Sequence, residues 1–355
     1  MKKWLPYILI SLGCMWLSSC ENNVEMPDAS DGQVSVHLKI AFSGSGGMSA
    51  RVADGDLDYT TDEQNVIDKD DLFMLVFSGD RLLDQVEITD VVKNNNTTGS
   101  ATTYTMDGNF MRPEGVSSVE IVILANLVQN NITNLGSKQA ITAYINSLKG
   151  QGDAKTVLYN DLVYKYGDPS SPWNISNRRI PMWGATDVTL TTSISADCKI
   201  HRAVAKVGIL INEGKGIEGF KVTGISVKGA MNQGFCVSHE IPGNDGYYTT
   251  PSVPKDAKAI NIEYKNLSVD KSYENGIYLP EQDNGYDDLY MIVSYTYQGQ
   301  QKTGEIRFIE STTQNKMDVI RNHSYLFNIQ KVAEQKLYYT VEDFAERTVN
   351  IPSFE

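Results

Sequence analysis

The sequence predicts an all-β protein: two β-sandwich domains in tandem, with one short helix inserted in the first. Three observations predict it. Val34, Val36, Leu38, Ile40 and Phe42 alternate with Ser35, His37, Lys39 and Ala41 in a strict period of two, the pattern of a half-buried strand. From residue 189 onward, short apolar or alternating runs are separated by turn residues such as Asn212-Glu213-Gly214 and Gln298-Gly299. Only residues 135–148 carry apolar side chains at helical spacing.

The chain begins with Lys2 and Lys3, followed by an apolar run over 4–17 that contains Pro6. That run is shorter than the ~20 residues of a membrane span, so it reads as an export signal. Leu17-Ser18-Ser19-Cys20 has the form of a bacterial lipobox, which places the cut before Cys20 and a lipid on its thiol. The plainer alternative is a secretory signal cut near Ser19. Residues 1–19 are therefore set aside from the fold.

Residues 21–32 are a polar tether leading into the alternating strand 33–43. Residues 43–51 are Gly- and Ser-rich, an exposed linker by composition, and they end in Arg51. Residues 54–62 are acidic, and Thr61-Asp62-Glu63-Gln64 has capping-box spacing for one helical turn. Residues 71–77 and 119–127 are short apolar runs and read as buried strands, with a loop around Asn94-Asn95-Asn96 between them. In 135–148, Leu135, Ile141, Tyr144, Ile145 and Leu148 form a helical stripe; Ser137 is placed to cap it and Gly150 to stop it. Residues 153–183 read as irregular. The two sandwiches join near 186–192, and further strands are expected at 198–211, 220–229, 259–265, 289–297, 303–309 and 323–332. No internal repeat is evident in the sequence.

The 355 residues carry a net charge of −13, which disfavours nucleic acid and anionic membrane surfaces as partners. Beyond the export signal and Cys20, Cys198 and Cys236 remain; they form either one disulfide or, with slightly more weight, two buried thiols on neighbouring strands. The four histidines, His37, His201, His239 and His323, have no metal-ligand spacing, so no metal is expected. No nucleophile elbow, phosphate loop or dinucleotide fingerprint is present, and neither an enzymatic activity nor a cofactor is expected. Asp54-Gly55-Asp56-Leu57-Asp58 opens like a calcium loop, but Tyr59 and Asn65 stand where a glycine and a bidentate glutamate belong, so it reads as a solvated acidic loop. Asp287-Asp288 reads as solvent-facing. Trp173, Trp183, Tyr247 and Tyr248, if exposed, offer a second reading: a surface lipoprotein that stacks these rings on glycan.

A mechanism is legible at the two ends. Arg51 is a basic site in an exposed linker, open to proteolysis. Cutting there and losing strand 33–43 would leave an apolar groove with unpaired backbone groups. Leu337, Tyr339 and Val341 alternate near the C-terminus, followed by Val349 and Ile351, so residues 336–354 supply a candidate donor strand. One groove and one donor per subunit give a head-to-tail contact that does not close, and a filament grows.

At these residues the chain resembles the fimbrillin family, the subunits of type V pili. The resemblance runs through the lipobox at Cys20, Ser49-Ala50-Arg51-Val52-Ala53, and Asn65-Val66-Ile67 leading into Leu75-Val76-Phe77. It continues in Ile180-Pro181-Met182-Trp183-Gly184, His201-Arg202-Ala203-Val204-Ala205-Lys206-Val207, Tyr278-Leu279-Pro280-Glu281 and Arg321-Asn322-His323-Ser324-Tyr325. It implies two transthyretin-like β-sandwich domains, export as a lipoprotein to the outer membrane, cleavage between Arg51 and Val52 by an arginine-specific, gingipain-type protease, and strand-exchange assembly with other pilus subunits into a surface fimbria that supports adhesion. The implied division is 1–19 signal, 20–51 tether and removed strand, 52–188 N-terminal sandwich, 189–335 C-terminal sandwich and 336–355 donor segment.

Overall fold

The computed structural model describes residues 32–42, 62–94, 103–130, 132, 135–170, 172–175, 178–211, 217–240, 248–285, 289–309, 315–333 and 336–345. The first unit contains β1 (Gln33–Phe42), β2 (Leu72–Ser78), β3 (Arg81–Gln85), β4 (Glu87–Asn94), β5 (Thr103–Met111) and β6 (Ser118–Ala125). These are followed by α1 (Lys138–Leu148), α2 (Ala154–Asp161), β7 (Val163–Lys165), β8 (Met182–Thr189) and β9 (Ser193–Arg202). The second unit contains β10 (Ala205–Ile211), β11 (Lys221–Met231), β12 (Gln233–Phe235), β13 (Ala259–Tyr264), β14 (Ser272–Leu279), β15 (Tyr290–Tyr297), β16 (Gln300–Arg307), β17 (His323–Ala333) and β18 (Lys336–Ala345). The protein is all-β, two sandwich units in tandem.

The first unit is one eight-stranded sheet in the order β3-β2-β6-β8-β9-β1-β5-β4. Its far ends meet, with β2 against β4 and β3 against β5, so the sheet closes over a core. The second unit has two sheets, β13-β11-β15-β16 and β14-β10-β17-β18. Laid side by side, the units repeat one topology: β3-β2-β6-β8 corresponds to β13-β11-β15-β16, and β9-β1-β5 to β17-β10-β14. In each, the opening strand runs antiparallel to one neighbour and parallel to the closing strand, β1 to β9 and β10 to β17. The repeat is one of topology, not of sequence.

Several expectations are corrected. The run 198–211, read as one strand, is two: β9 ends at Arg202 in the first sheet and β10 begins at Ala205 in the second, with Ala203 and Val204 making the step. β9, placed by the expected division at 188/189 in the C-terminal unit, is therefore hydrogen-bonded into the first. Residues 153–183, read as irregular, hold α2, β7 and the start of β8, so a second short helix follows the expected one. That expected helix has the foreseen cap: Ser137 accepts from the Ala140 N–H at 3.1 Å, and Gly150, at φ +83°, turns the chain away. β3, β4, β5, β12 and β14 were not foreseen. Cys198 and Cys236 are both free and buried, Cys198 on β9 and Cys236 just beyond β12.

Candidate functional site

β1 lies in the interior of the first sheet. It pairs antiparallel with β5, from Gln33 opposite Met111 to Ala41 opposite Thr103. It pairs parallel with β9, from Ser35 beside Ser193 to Phe42 beside Ile200. Both its edges are therefore hydrogen-bonded. The five alternating residues Val34, Val36, Leu38, Ile40 and Phe42 are each at most 1% exposed. Register sets their walls: Phe110, Met106 and Tyr104 on the β5 side, and Ile194, Ala196, Cys198 and Ile200 on the β9 side. Phe42 meets the edge of Tyr104, with ring centroids 5.9 Å apart.

The opposite face is polar but not open. Ser35 and Ala41 are buried, and His37 and Lys39 are half-buried. His37 Nδ1 sits 2.6 Å from Asp107 Oδ1, directly across on β5, and Lys39 stands beside Asp197 on β9. Taking ~1.5–3 kcal/mol per buried apolar side chain, the inner face of β1 contributes on the order of 10 kcal/mol as an upper estimate. An uncompensated loss of that size would be comparable to the whole stability of a domain.

β18 is held differently. It pairs with β17 alone, at the edge of its sheet. Leu337 is buried and fills the space that any side chain on Gly304 would need, while Tyr339 and Val341 are half-buried. The Tyr339 hydroxyl accepts from the Arg307 N–H of β16 at 2.7 Å. The described part of the candidate donor is thus folded back on its own unit.

The scattered motifs of the sequence converge on the junction between the units. The Ala203 N–H donates to Pro181 O (2.9 Å), and Trp183 lies beside His201 in register. Gly184 lets β8 and β9 approach so closely that a Cβ there would collide with Lys199 O. Arg202 donates to Asn322 Oδ1 (3.1 Å) and to Asn65 Oδ1, tying β9 to the turn before β17 and to the chain before β2. Arg321 and Glu281 form a wholly buried ion pair at 2.6 Å, and Arg321 also donates to Phe235 O (3.0 Å). β12, which holds Phe235, pairs with β7 of the first unit. His201, buried here beside Arg321, Arg202 and Lys199, is pushed down to about 3, by burial first and these cations second. Burial pushes Asp71 up to about 6, against backbone N–H groups of Val128, Leu127 and Gln129 that stabilise its charge.

Other predicted positions fall elsewhere. Cys20, Arg51, Val52, Val349 and Ile351, the acidic loop 54–58, Tyr247 and Asp287-Asp288 lie outside the described residues. The glycan reading is corrected: Trp173 (3% exposed), Trp183 (7%) and Tyr248 (1%) are buried. Trp173 packs between Tyr164, Tyr166 and the Arg178 guanidinium, because its large apolar surface fills the space beside Tyr166, whose hydroxyl meets that of Tyr264 of the second unit at 3.3 Å. Among the described residues no group of three or more His, Cys, Asp or Glu is placed to hold a metal, and no helix is long and apolar enough to cross a membrane. The walls of the β1 site, β5 and the start of β9, were missed in the sequence. The alternation Tyr104, Met106, Phe110 was the available signal, weakened by Gly108 in the series.

The sequence matches no family model and no curated relative. The fold has solved counterparts. A fimbrial assembly protein from Parabacteroides distasonis aligns with a TM-score of 0.50 at 15% identity, over 90% of this chain and 99% of its own. A candidate cell adhesion protein from the same species gives 0.48 at 12% identity, over 87% and 96%. The fimbrial anchor protein Mfa2 from Porphyromonas gingivalis gives 0.38 at 10%, over 88% and 99%. At these identities the likeness is one of fold, and the first of the three carries it: the same arrangement matched nearly from end to end.

Proposed function

We propose that this chain, which has the fold of a fimbrial assembly protein, is a structural and non-enzymatic subunit of a type V fimbria at the cell surface. In this reading it is exported as a lipoprotein held to the outer membrane through Cys20. An arginine-specific protease cuts between Arg51 and Val52, β1 leaves, and a donor strand from a neighbouring subunit takes its place. Leu337, Tyr339 and Val341, with Val349 and Ile351, form this subunit's own donor, which serves the next groove.

The observation that supports the reading most is the position of β1: an interior strand, paired on both edges, separated in sequence from the next strand of its sheet by residues 43–71. A cut in that stretch severs the one covalent link between β1 and the rest of its sheet. The vacancy then presents two unpaired backbone edges and a row of apolar positions, which only another extended strand can satisfy.

The test is made in the host cell, by size separation of surface polymers under mild denaturation. Wild-type protein is expected in ladder-forming polymers, starting at Val52. Arg51→Ala is expected as monomer that retains residues 33–42. Deletion of 336–355 is expected to leave a folded, cleavable protein that cannot extend the polymer. Cys20→Ala is expected to lose the lipid and release the precursor. Ladders from Arg51→Ala would exclude Arg51 as the switch.

A further inference from the structure

Resting on that reading, we propose that the groove left by β1 takes its donor from a different protein, and not from residues 333–355 of a second copy. The pairing sets what a donor must be. It has to place apolar side chains at the five positions of Val34, Val36, Leu38, Ile40 and Phe42, all at most 1% exposed. It needs small side chains at the positions of Ser35 and Ala41, which are buried on the other face. It has to offer its N–H groups on both edges, to β5 and β9, so proline has no place in it.

Each register of the chain's own C-terminal segment fails one of these demands. Aligning 337–345 with 34–42 fills the first three apolar positions with Leu337, Tyr339 and Val341, but sets Asp343 at the position of Ile40. It also puts Tyr338 and Phe344 where Ser35 and Ala41 are enclosed. Sliding by two, to 335–343, moves Asp343 to the position of Phe42 and brings Glu342 to that of Ala41. Sliding again, to 333–341, removes the aspartate but places Gln335 at Val36 and Glu334 at Ser35. Residues 345–353 bring Arg347 inward and Pro352 into the ladder. Reversing the strand direction keeps the same side chains facing in, since the period of two is symmetric. An unpaired carboxylate in a dry apolar slot, or a lost ladder hydrogen bond, is a heavy cost. The partner is therefore a strand from another subunit with five alternating apolar residues, small residues at two of the intervening positions and no proline.

The experiment uses the full chain after its export signal, cut with an arginine-specific protease and mixed with biotin-labelled peptides in about 2 M urea to permit exchange. The probes are the peptides 33–42, 333–345 and 345–355, and 333–345 carrying Tyr338→Ser, Asp343→Ile and Phe344→Ala. Peptide 33–42 is expected to be captured, and the two native C-terminal peptides to bind at least ~100-fold more weakly, as an uncompensated buried charge requires. The triple variant is expected to recover most of that loss. The cut protein alone is expected to form no ladder. Capture of native 333–345 or 345–355 as tightly as 33–42, or ladders from the pure cut protein, would overturn the proposal while leaving strand exchange intact. Capture of no peptide, with β1 retained after cutting, would show that the groove never opens and would overturn both.

Discussion

The two units share a topology but secure their opening strands in different ways. β10 sits between β14 and β17 as β1 sits between β5 and β9. β10 is joined to β9 by Ala203 and Val204 alone and runs on into β11, so folded strands flank it on both sides in sequence. β1 is joined to the rest of its sheet only through 43–71. The closing strands differ as well. β8 pairs with β9 through Met182–Gly184, so the first sheet is continuous. In the second unit β16 does not pair with β17, and β18 covers that free edge instead. The same hydrogen-bonded position is thus tied in by short connections in one unit and held by a single long connection in the other, and connectivity, not burial, makes the difference.

Breaking each opening strand tests this equivalence most strongly. Leu38 and Ile209 are both fully buried in interior strands. Leu38→Asp and Ile209→Asp are each expected to cost more than about 4 kcal/mol, through a buried unpaired charge. Chemical denaturation followed by hydrogen exchange should show the loss confined to the first unit for Leu38→Asp and to the second for Ile209→Asp. A tolerated Ile209→Asp would break the correspondence of β10 with β1.

The junction that holds the units together is expected to be acid-sensitive. His201 falls from its ordinary 6.5 to about 3 on folding, so the unfolded chain takes up its proton first. Its contribution is complete above pH 6.5 and is lost as pH falls towards 3, on the order of 5 kcal/mol in all. Asp71, raised from 3.8 to about 6, acts in the opposite sense: its contribution is complete below 3.8 and is lost as pH rises through 6. Across pH 6 to 4 the two oppose each other and nearly cancel, and the net loss of stability comes below about pH 4, where Asp71 is protonated in the unfolded chain as well. Melting curves from about pH 7 to 3 check it, and His201→Gln, which leaves Asp71 alone, should turn the response round so that stability rises as pH falls from about 6 to 4. An unchanged slope in that variant would place the sensitivity elsewhere.

Smaller effects separate β1 from β18. Gly304→Ala places a methyl group into Leu337 and is expected to cost about 1–2 kcal/mol by overpacking. Tyr339→Phe removes the bond to Arg307 and is expected to cost about 0.5–1.5 kcal/mol. Both should raise amide exchange in β18 and leave β1 protected. Equal deprotection of β1 would show that the two strands open together.

The sequence by itself determined the local elements whose pattern is self-contained. The period of two at 33–43 is β1, the apolar run 71–77 is β2, and Ser137 caps the helix it was expected to cap, because alternation and capping depend on neighbours a few residues away. Pairing was decided only by the tertiary structure. Nothing within residues 33–42 says that β1 runs parallel to β9 across more than 150 residues of chain, since strand partners are chosen by the shape of the closed core and not by local pattern. The same reason hid the division of 198–211, where one stretch without a turn residue at the step serves two sheets. It also hid the repeat, which lies in strand order and pairing and not in the side chains. The motifs around Asn65, Pro181, Arg202, Glu281 and Arg321 were visible as separate pieces, and folding alone made them one junction, by bringing their buried polar groups within hydrogen-bonding reach of each other.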